Sequence, residues 1–217
     1  MRPQILIDIE NALKKARIEI ASDFEGEGRI GSTFDESTVK KFLKAHPIIG
    51  KYILDVPARA PGDMLVVDPQ RPFGDSEQMY VVNIKTSKGS CSNGMSKQGF
   101  VYAFTDMGIE EIPKRLSWSK MDKYLRTRKV DNQAKDYWYL CVDKNDSSNV
   151  VIRGAKQICN WVENSNPANM LQIDWKKEWA SEPVQRNYAE AYDVIIGGII
   201  RCIQKDYDNM PALFKPK

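Results

Sequence analysis

Pro61-Gly62-Asp63-Met64-Leu65-Val66-Val67-Asp68 and, after a turn-rich interval, Met79-Tyr80-Val81-Val82-Asn83-Ile84-Lys85 are the two stretches on which the reading of this chain turns. Read at period two, each is a short β-branched strand with a polar group at one end, and Pro69, Pro72 and Gly74 lie between them. Two adjacent antiparallel strands over 63–68 and 79–85 bring Asp63, Asn83 and Lys85 together. A carboxylate with neighbouring oxygens suits Mg2+, which polarises a phosphate and lowers the pKa of a bound water. An ammonium beside it neutralises charge that builds on an attacked phosphorus. These residue types in this order point to metal-assisted phosphodiester hydrolysis.

Composition narrows the alternatives. A chain of 217 residues can build one substantial core, and 42% hydrophobic with 28% charged residues is the balance of an ordinary soluble globular protein. No charged and then apolar leader opens the sequence, and the late apolar run from Val194 to Ile200 is far short of a membrane span, so a cytoplasmic protein with no membrane partner is expected. Cys91, Cys141, Cys159 and Cys202 are scattered without a CxxC pair, which argues against a zinc site or a disulfide framework. His46 is the only histidine, so nuclease chemistries built on several histidines are excluded. Its place between Ala45 and Pro47 suits a helix end.

The net charge of +3 is small, but its distribution is uneven. Lys114, Arg115, Lys120, Lys123, Arg126, Arg128 and Lys129 face Asp122 alone and are interleaved with Trp118 and Tyr124. Such a helix can follow a phosphate backbone or simply present a solvated face.

Along the chain, Ile5, Leu6, Ile9, Leu13, Ala16 and Ile20 recur at helical spacing, which predicts a helix over 3–21. Gly26 to Gly31 matches GxGxxG but follows a helix and carries a glutamate, Glu27, so it reads as a mobile loop that approaches DNA rather than a dinucleotide site. A second helix is expected from Thr33 or Asp35 to Ala45. Strands are expected near 52–56, 63–68, 79–85, 100–105 and 137–142, and helices near 117–130, 154–163 and 183–207. The fold class is α/β, a central mixed β-sheet flanked by helices in one domain over 1–217, with the catalytic core near 31–143 and a helical part near 154–210. The last helix carries Val184, Tyr188, Ala191, Tyr192, Ile195, Ile196, Ile199 and Ile203, a stripe for core or dimer packing, and Gly197 and Gly198 admit a close second backbone. No chemistry is assigned to residues 144–217.

Over residues 31–105 the chain resembles the PD-(D/E)XK nucleases, which include type II restriction endonucleases and several repair and resolvase enzymes. Asp63 matches the first acidic position, with Gly62 inserted after Pro61, and Lys85 matches the lysine. Asn83 stands where the family has Asp or Glu. Asn offers a carbonyl oxygen but no charge, so either another acid compensates or catalysis is weak. Gly31-Ser32-Thr33-Phe34-Asp35-Glu36 looks like the family's helix start, whose acid faces the metal; Asp35 and Glu36 are both candidates, the alternative being a helix cap or dipole partner. Asn83-Ile84-Lys85-Thr86-Ser87 is similar to the blunt-cutting branch, in which hydroxyl residues and then a DNA-contacting loop follow the lysine.

The resemblance implies a restriction-endonuclease-like fold and catalytic residues Asp63, Asn83, Lys85 and Glu36, of which Asp63 and Asn83 hold the metal. It implies Mg2+ as cofactor, with Mn2+ as a substitute and Ca2+ binding without cleavage. The segment from Ser87 to Gly99 has three glycines and no acid, and its hydrogen-bonding side chains suit base edges, lysine favouring guanine. Expected DNA contacts are Thr86, Ser87, Lys88, Asn93, Met95, Lys97 and Gln98, with Lys120, Lys123 and Arg126 from the basic helix. Met95 either wedges into the base stack or tucks onto the core. The leading expectation is a Mg2+-dependent endonuclease that cuts double-stranded DNA at a short, guanine-containing palindrome, as a homodimer matched to the two-fold substrate. The alternatives are a structure-specific repair or junction nuclease and a non-catalytic DNA-binding module.

Overall fold

The computed structural model describes residues 2–20, 28–58, 60–71, 79–94, 96–163 and 171–209. In chain order it contains α1 (Gln4–Ala16), α2 (Gly28–Ala45), β1 (Ile53–Asp55), β2 (Met64–Val67), β3 (Met79–Ser87), β4 (Cys91–Asn93), α3 (Lys97–Phe104) and α4 (Trp118–Thr127). Then follow β5 (Tyr137–Asp143), β6 (Val150–Gly154), β7 (Trp161–Glu163), β8 (Leu171–Asp174), α5 (Trp175–Trp179) and α6 (Tyr188–Asn209). Short 3-10 turns, Gly50–Tyr52 and Ala155–Gln157, precede β1 and follow β6.

Five strands form a mixed sheet in the order β1-β2-β3-β5-β6. Its β2–β3 pair is antiparallel, with Met64 opposite Val82 and Leu65 opposite Val81. The β3–β5 pair is parallel, with Val81 opposite Tyr137 and Lys85 opposite Cys141. A parallel neighbour needs a long crossover, and α3 and α4 supply it. The sheet is α/β and covered on both faces, so its central strands read as nearly continuous apolar runs. One face, with Met64, Val66, Val82, Ile84, Leu140 and Val142, packs against Leu6, Ile9 and Leu13 of α1 and Val39 and Leu43 of α2. The opposite face, with Leu65, Val81, Tyr137, Tyr139 and Cys141, packs against α3, α4 and α6. A second sheet, ordered β4-β8-β7, adjoins that second core through Leu171 and Ile173. On the outer strand β6, the buried Glu10 of α1 accepts the Ile152 N–H at 2.9 Å, tying helix to sheet edge.

Several elements differ from the sequence expectation, each for a local reason. Helix α1 stops at Ala16 because Arg17 takes a left-handed conformation (φ 47°) and returns its N–H to Leu13; Ile20 is still buried, from the chain beyond the helix. Helix α2 begins at Gly28, so Gly28 to Gly31 are helical rather than a mobile loop, and Asp35 and Glu36 lie well inside the helix, not in its first turn. Gly26 and Glu27 fall outside the described residues.

The predicted strand over 100–105 is helix α3, in which Gly99 to Phe104 are all buried. A helix buried all round shows no amphipathic period and reads like a core strand. The signal that distinguishes it is Ser96, whose hydroxyl caps the helix by accepting the Gly99 N–H at 3.0 Å. The predicted helix over 154–163 is the end of β6, a 3-10 turn and β7. There the buried carboxylate of Glu178 accepts the N–H groups of Cys159 (3.1 Å) and Asn160 (3.0 Å) and competes with helical bonding. The last helix starts at Tyr188 rather than 183, and Gly198 lets it approach Leu171, whose Cδ2 would lie 2.8 Å from an added Cβ. Among the described residues no helix is long and apolar enough to cross a membrane.

Candidate active site

Asp63 lies one residue before β2, where its N–H donates to Val82 O at 2.9 Å and its Oδ2 accepts the Ile84 N–H at 2.7 Å. Carrying the Met64–Val82 pairing one residue further sets Asp63 opposite Asn83. Asn83 and Lys85 follow Val81 at intervals of two and share its face of the sheet. The turn ahead of Asp63 depends on Gly62, at φ 89°, where an added Cβ would lie 2.7 Å from Val81 Cγ1. The inserted glycine is therefore a backbone requirement of the Asp63 turn.

Beyond Asp63 the far end of β3 is no longer covered by β2, and α2 reaches it there. Lys85 Nζ donates to Glu36 Oε1 at 3.0 Å, both side chains being largely buried. Asp35, the neighbouring acid, is 2% exposed and pairs with Lys144, whose N–H extends the ladder to Ser87 O at 2.8 Å. Of the two candidate acids, Glu36 is thus the one at Lys85, and Asp35 faces the end of β5. Lys40, a turn further along α2, donates to Asp63 O at 2.6 Å and pairs with Asp55 at 2.8 Å. That pairing and Lys44 hold the Asp55 carboxyl down to about 2.

Two residues that sequence reasoning did not single out complete the site. Lys144 lies in the stretch to which no chemistry was assigned. Tyr137, expected only as part of a buried strand, has a hydroxyl that accepts Asn83 Nδ2–H at 2.7 Å. Asn83 Oδ1 is buried and has no hydrogen-bond partner among the described residues. Burial pushes the Tyr137 hydroxyl far above the usual phenol range, the Asn83 hydrogen bond opposes this, and the charge of Asp63 adds to it. Burial also raises the Glu36 carboxyl, against the pull of Lys85, and the charges of Asp63 and Asp35 raise it further. The site is a small, partly desolvated cluster in which the acids Asp35, Glu36 and Asp63 lie among the lysines Lys40, Lys85 and Lys144, next to the unpartnered amide oxygen of Asn83.

Among the described residues, no three His, Cys, Asp or Glu side chains converge so as to hold a metal. Mg2+ does not demand them, because it binds through one or two carboxylates and keeps several waters. Asp63, the orphaned Asn83 Oδ1 and Glu36 offer hard oxygen atoms of the kind such an ion takes.

The expected DNA contacts divide into several groups. Ser87 is buried and its hydroxyl closes the following turn, donating to Ser90 O at 3.2 Å and accepting the Gly89 N–H at 3.1 Å. Thr86 Oγ1 is buried without a hydrogen-bond partner. Gln98 donates to Pro113 O and Lys114 O, and Lys97 Nζ sits 4.1 Å from the centre of the Trp118 ring, so these two dock α3 against the segment before α4. Lys88, Lys120 and Lys123 are exposed, while Arg126 is paired with Asp122 at 2.8 Å. Asn93 belongs to β4, and Met95 falls outside the described residues. His46 Nδ1 accepts the N–H groups of Ile48 (3.4 Å) and Ile49 (3.3 Å), a turn-closing role at the end of α2. A cavity of about 810 Å³ lies toward the other end of the same strands, lined in part by Leu65, Val81, Tyr102, Val130 and Lys135. Its lining is mainly apolar and contains none of the candidate catalytic residues. Comparison of the chain with protein-family models, curated proteins and solved structures gave no match.

Proposed function

We propose that this chain is a Mg2+-dependent endonuclease of double-stranded DNA, with a restriction-endonuclease-like arrangement of its sheet and a homodimeric working form. The observation that carries the reading is the meeting of Asp63, Asn83, Lys85 and Glu36 at the uncovered end of β3, with Lys85 3.0 Å from Glu36. When bound there, Mg2+ or Mn2+ supplies a polarised phosphate and an acidic water, and Ca2+ binds without supporting cleavage. Asp63 and Asn83 hold the ion, and Glu36 adds negative charge that the family pattern would place at position 83. Lys85 neutralises charge developing on the phosphate, and its bond to Glu36 keeps the ammonium at the site until a phosphate competes for it. The exposed Lys88, Lys120 and Lys123 add sequence-independent attraction to the backbone of the duplex. Val194, Ile200, Ile203 and Tyr207 leave exposed apolar surface on α6 for a second copy of the chain.

The test is incubation of the purified protein with plasmid and phage-sized DNA in Mg2+ or Mn2+. Discrete fragments support sequence-specific cleavage at a short palindrome; action confined to branched or damaged DNA assigns the core to repair or junction processing. Duplex binding without cutting in either metal sinks the enzymatic reading and leaves a DNA-binding module. Asn83→Asp adds a full ligand charge and should keep or raise the cleavage rate, and a large loss would show that Asn is specifically required at this position.

A further inference from the structure

An asparagine presents two chemically opposite ends in nearly the same shape: an oxygen that ligates a cation, and an NH2 group that repels it. A carboxylate has no such ambiguity. With Asn at position 83, something must decide which end faces the ion. The Tyr137 hydroxyl is the only group recorded as taking a hydrogen bond from the Asn83 side chain among the described residues, and it takes the NH2 end at 2.7 Å, leaving Oδ1 unpartnered.

We propose that Tyr137 is a positioning residue which fixes the Asn83 carboxamide with its oxygen toward the divalent cation, so that an uncharged side chain can serve at this position. The inference rests on the metal site proposed above. Three observations support it. The Tyr137 ring is 1% exposed and lies against Gly99, where an added Cβ would be 3.0 Å from two ring carbons, so the ring has little room to swing. The ring also meets Tyr139 edge to face at 5.3 Å. The Gly62 N–H also acts on that hydroxyl, pulling its pKa down, so the group lies beside both the turn that presents Asp63 and the amide of Asn83. A group that orients a metal ligand in this way acts on ion affinity through the ligand, not by contact.

Because a carboxylate has two equivalent oxygens, Asp at position 83 removes the need for orientation. Calorimetric titration with Mn2+, in the absence of DNA, of the unmodified protein, Tyr137→Phe, Asn83→Asp and the double variant therefore isolates the effect. Tyr137→Phe should weaken Mn2+ binding by about 10- to 100-fold when residue 83 is Asn. The same change should cost no more than about threefold when it is Asp, leaving a coupling between the two positions. Equal losses in both backgrounds would make Tyr137 a scaffold residue and overturn the inference while leaving the metal site standing. Absence of Mn2+ binding in both the unmodified protein and Asn83→Asp would instead remove the metal site, and the inference with it.

Should Tyr137→Phe fail to fold, the unmodified protein carries the test. In Mg2+ titrations followed by NMR, the Asn83 carboxamide carbon should shift while its NH2 protons remain protected from exchange. Release of those protons on Mg2+ addition would overturn the proposal.

Discussion

The two ends of the β3–β5 pair both bury charge, and they do so in opposite ways. At the end where β5 begins, the buried charges Asp136, Lys135 and Lys156 are bound by main chain. Asp136 accepts the N–H groups of Tyr137 (2.8 Å) and Lys156 (3.2 Å); Lys156 donates to Asn132 O and Lys135 O; Lys135 donates to Thr105 O and Met107 O. Burial raises the Asp136 carboxyl to about 6 and lowers the Lys135 ammonium to about 8. At the other end, side chains from separate elements bind one another: Glu36 with Lys85, Asp35 with Lys144, and Asn83 with Tyr137. A charge stapled to main chain cannot change partner without unfolding its surroundings. A side-chain pair can open to admit a phosphate or an ion at the cost of one exposed or exchanged contact. The first end holds its charges fixed, and the second leaves them exchangeable.

Changes at each end should therefore separate function from stability. The largest effect belongs to Lys85→Ala, which should slow DNA cleavage by about 10²- to 10³-fold while DNA binding and the melting midpoint stay close to those of the unmodified protein. A gel-based cleavage assay beside a binding titration checks it, and equal loss of both would place Lys85 among the structural charges.

Next in size is Asp136. Its carboxyl is raised from 3.8 to about 6, so the folded state holds its proton to higher pH than the unfolded chain. Stability from this group is complete below pH 3.8 and is lost as pH rises through about 6, a change of about 3 kcal/mol. Urea unfolding across that window should show the decline, and Asp136→Asn should flatten it without affecting cleavage at neutral pH. A slope that survives the substitution would assign the titration elsewhere.

The smallest effect falls on the hinge between strand geometry and site. Gly62→Ala forces a side chain into a positive-φ position against Val81 and should destabilise the fold by about 1–3 kcal/mol, read as a lower urea midpoint. Cleavage should fall more steeply than stability, because Asp63 is carried by the same turn.

Strands β2 and β3 were legible because alternation and turn residues act locally, and their register then follows from burying one face. Asp63, Asn83 and Lys85 could be named for that reason. Glu36 and Asp35 could be named but not told apart, since neighbours on a helix point in different directions and only packing says where each arrives. Helix α3 was misread because burial on all sides erases the period that distinguishes helix from strand. Lys144 and Tyr137 carried no local signal: a lysine after a strand and a tyrosine inside one are ordinary residues until the parallel pairing of β3 and β5 delivers them.

By itself, the order of residues determined the two strands, the acid and lysine they carry, and the uncharged residue between them, because each of these depends on contacts within a few positions along the chain. Tertiary structure alone decided which acid meets Lys85, which hydroxyl holds Asn83, and which end of the sheet keeps its charges exchangeable. Those choices join residues 49 and 54 positions apart in sequence, and no local preference reaches that far.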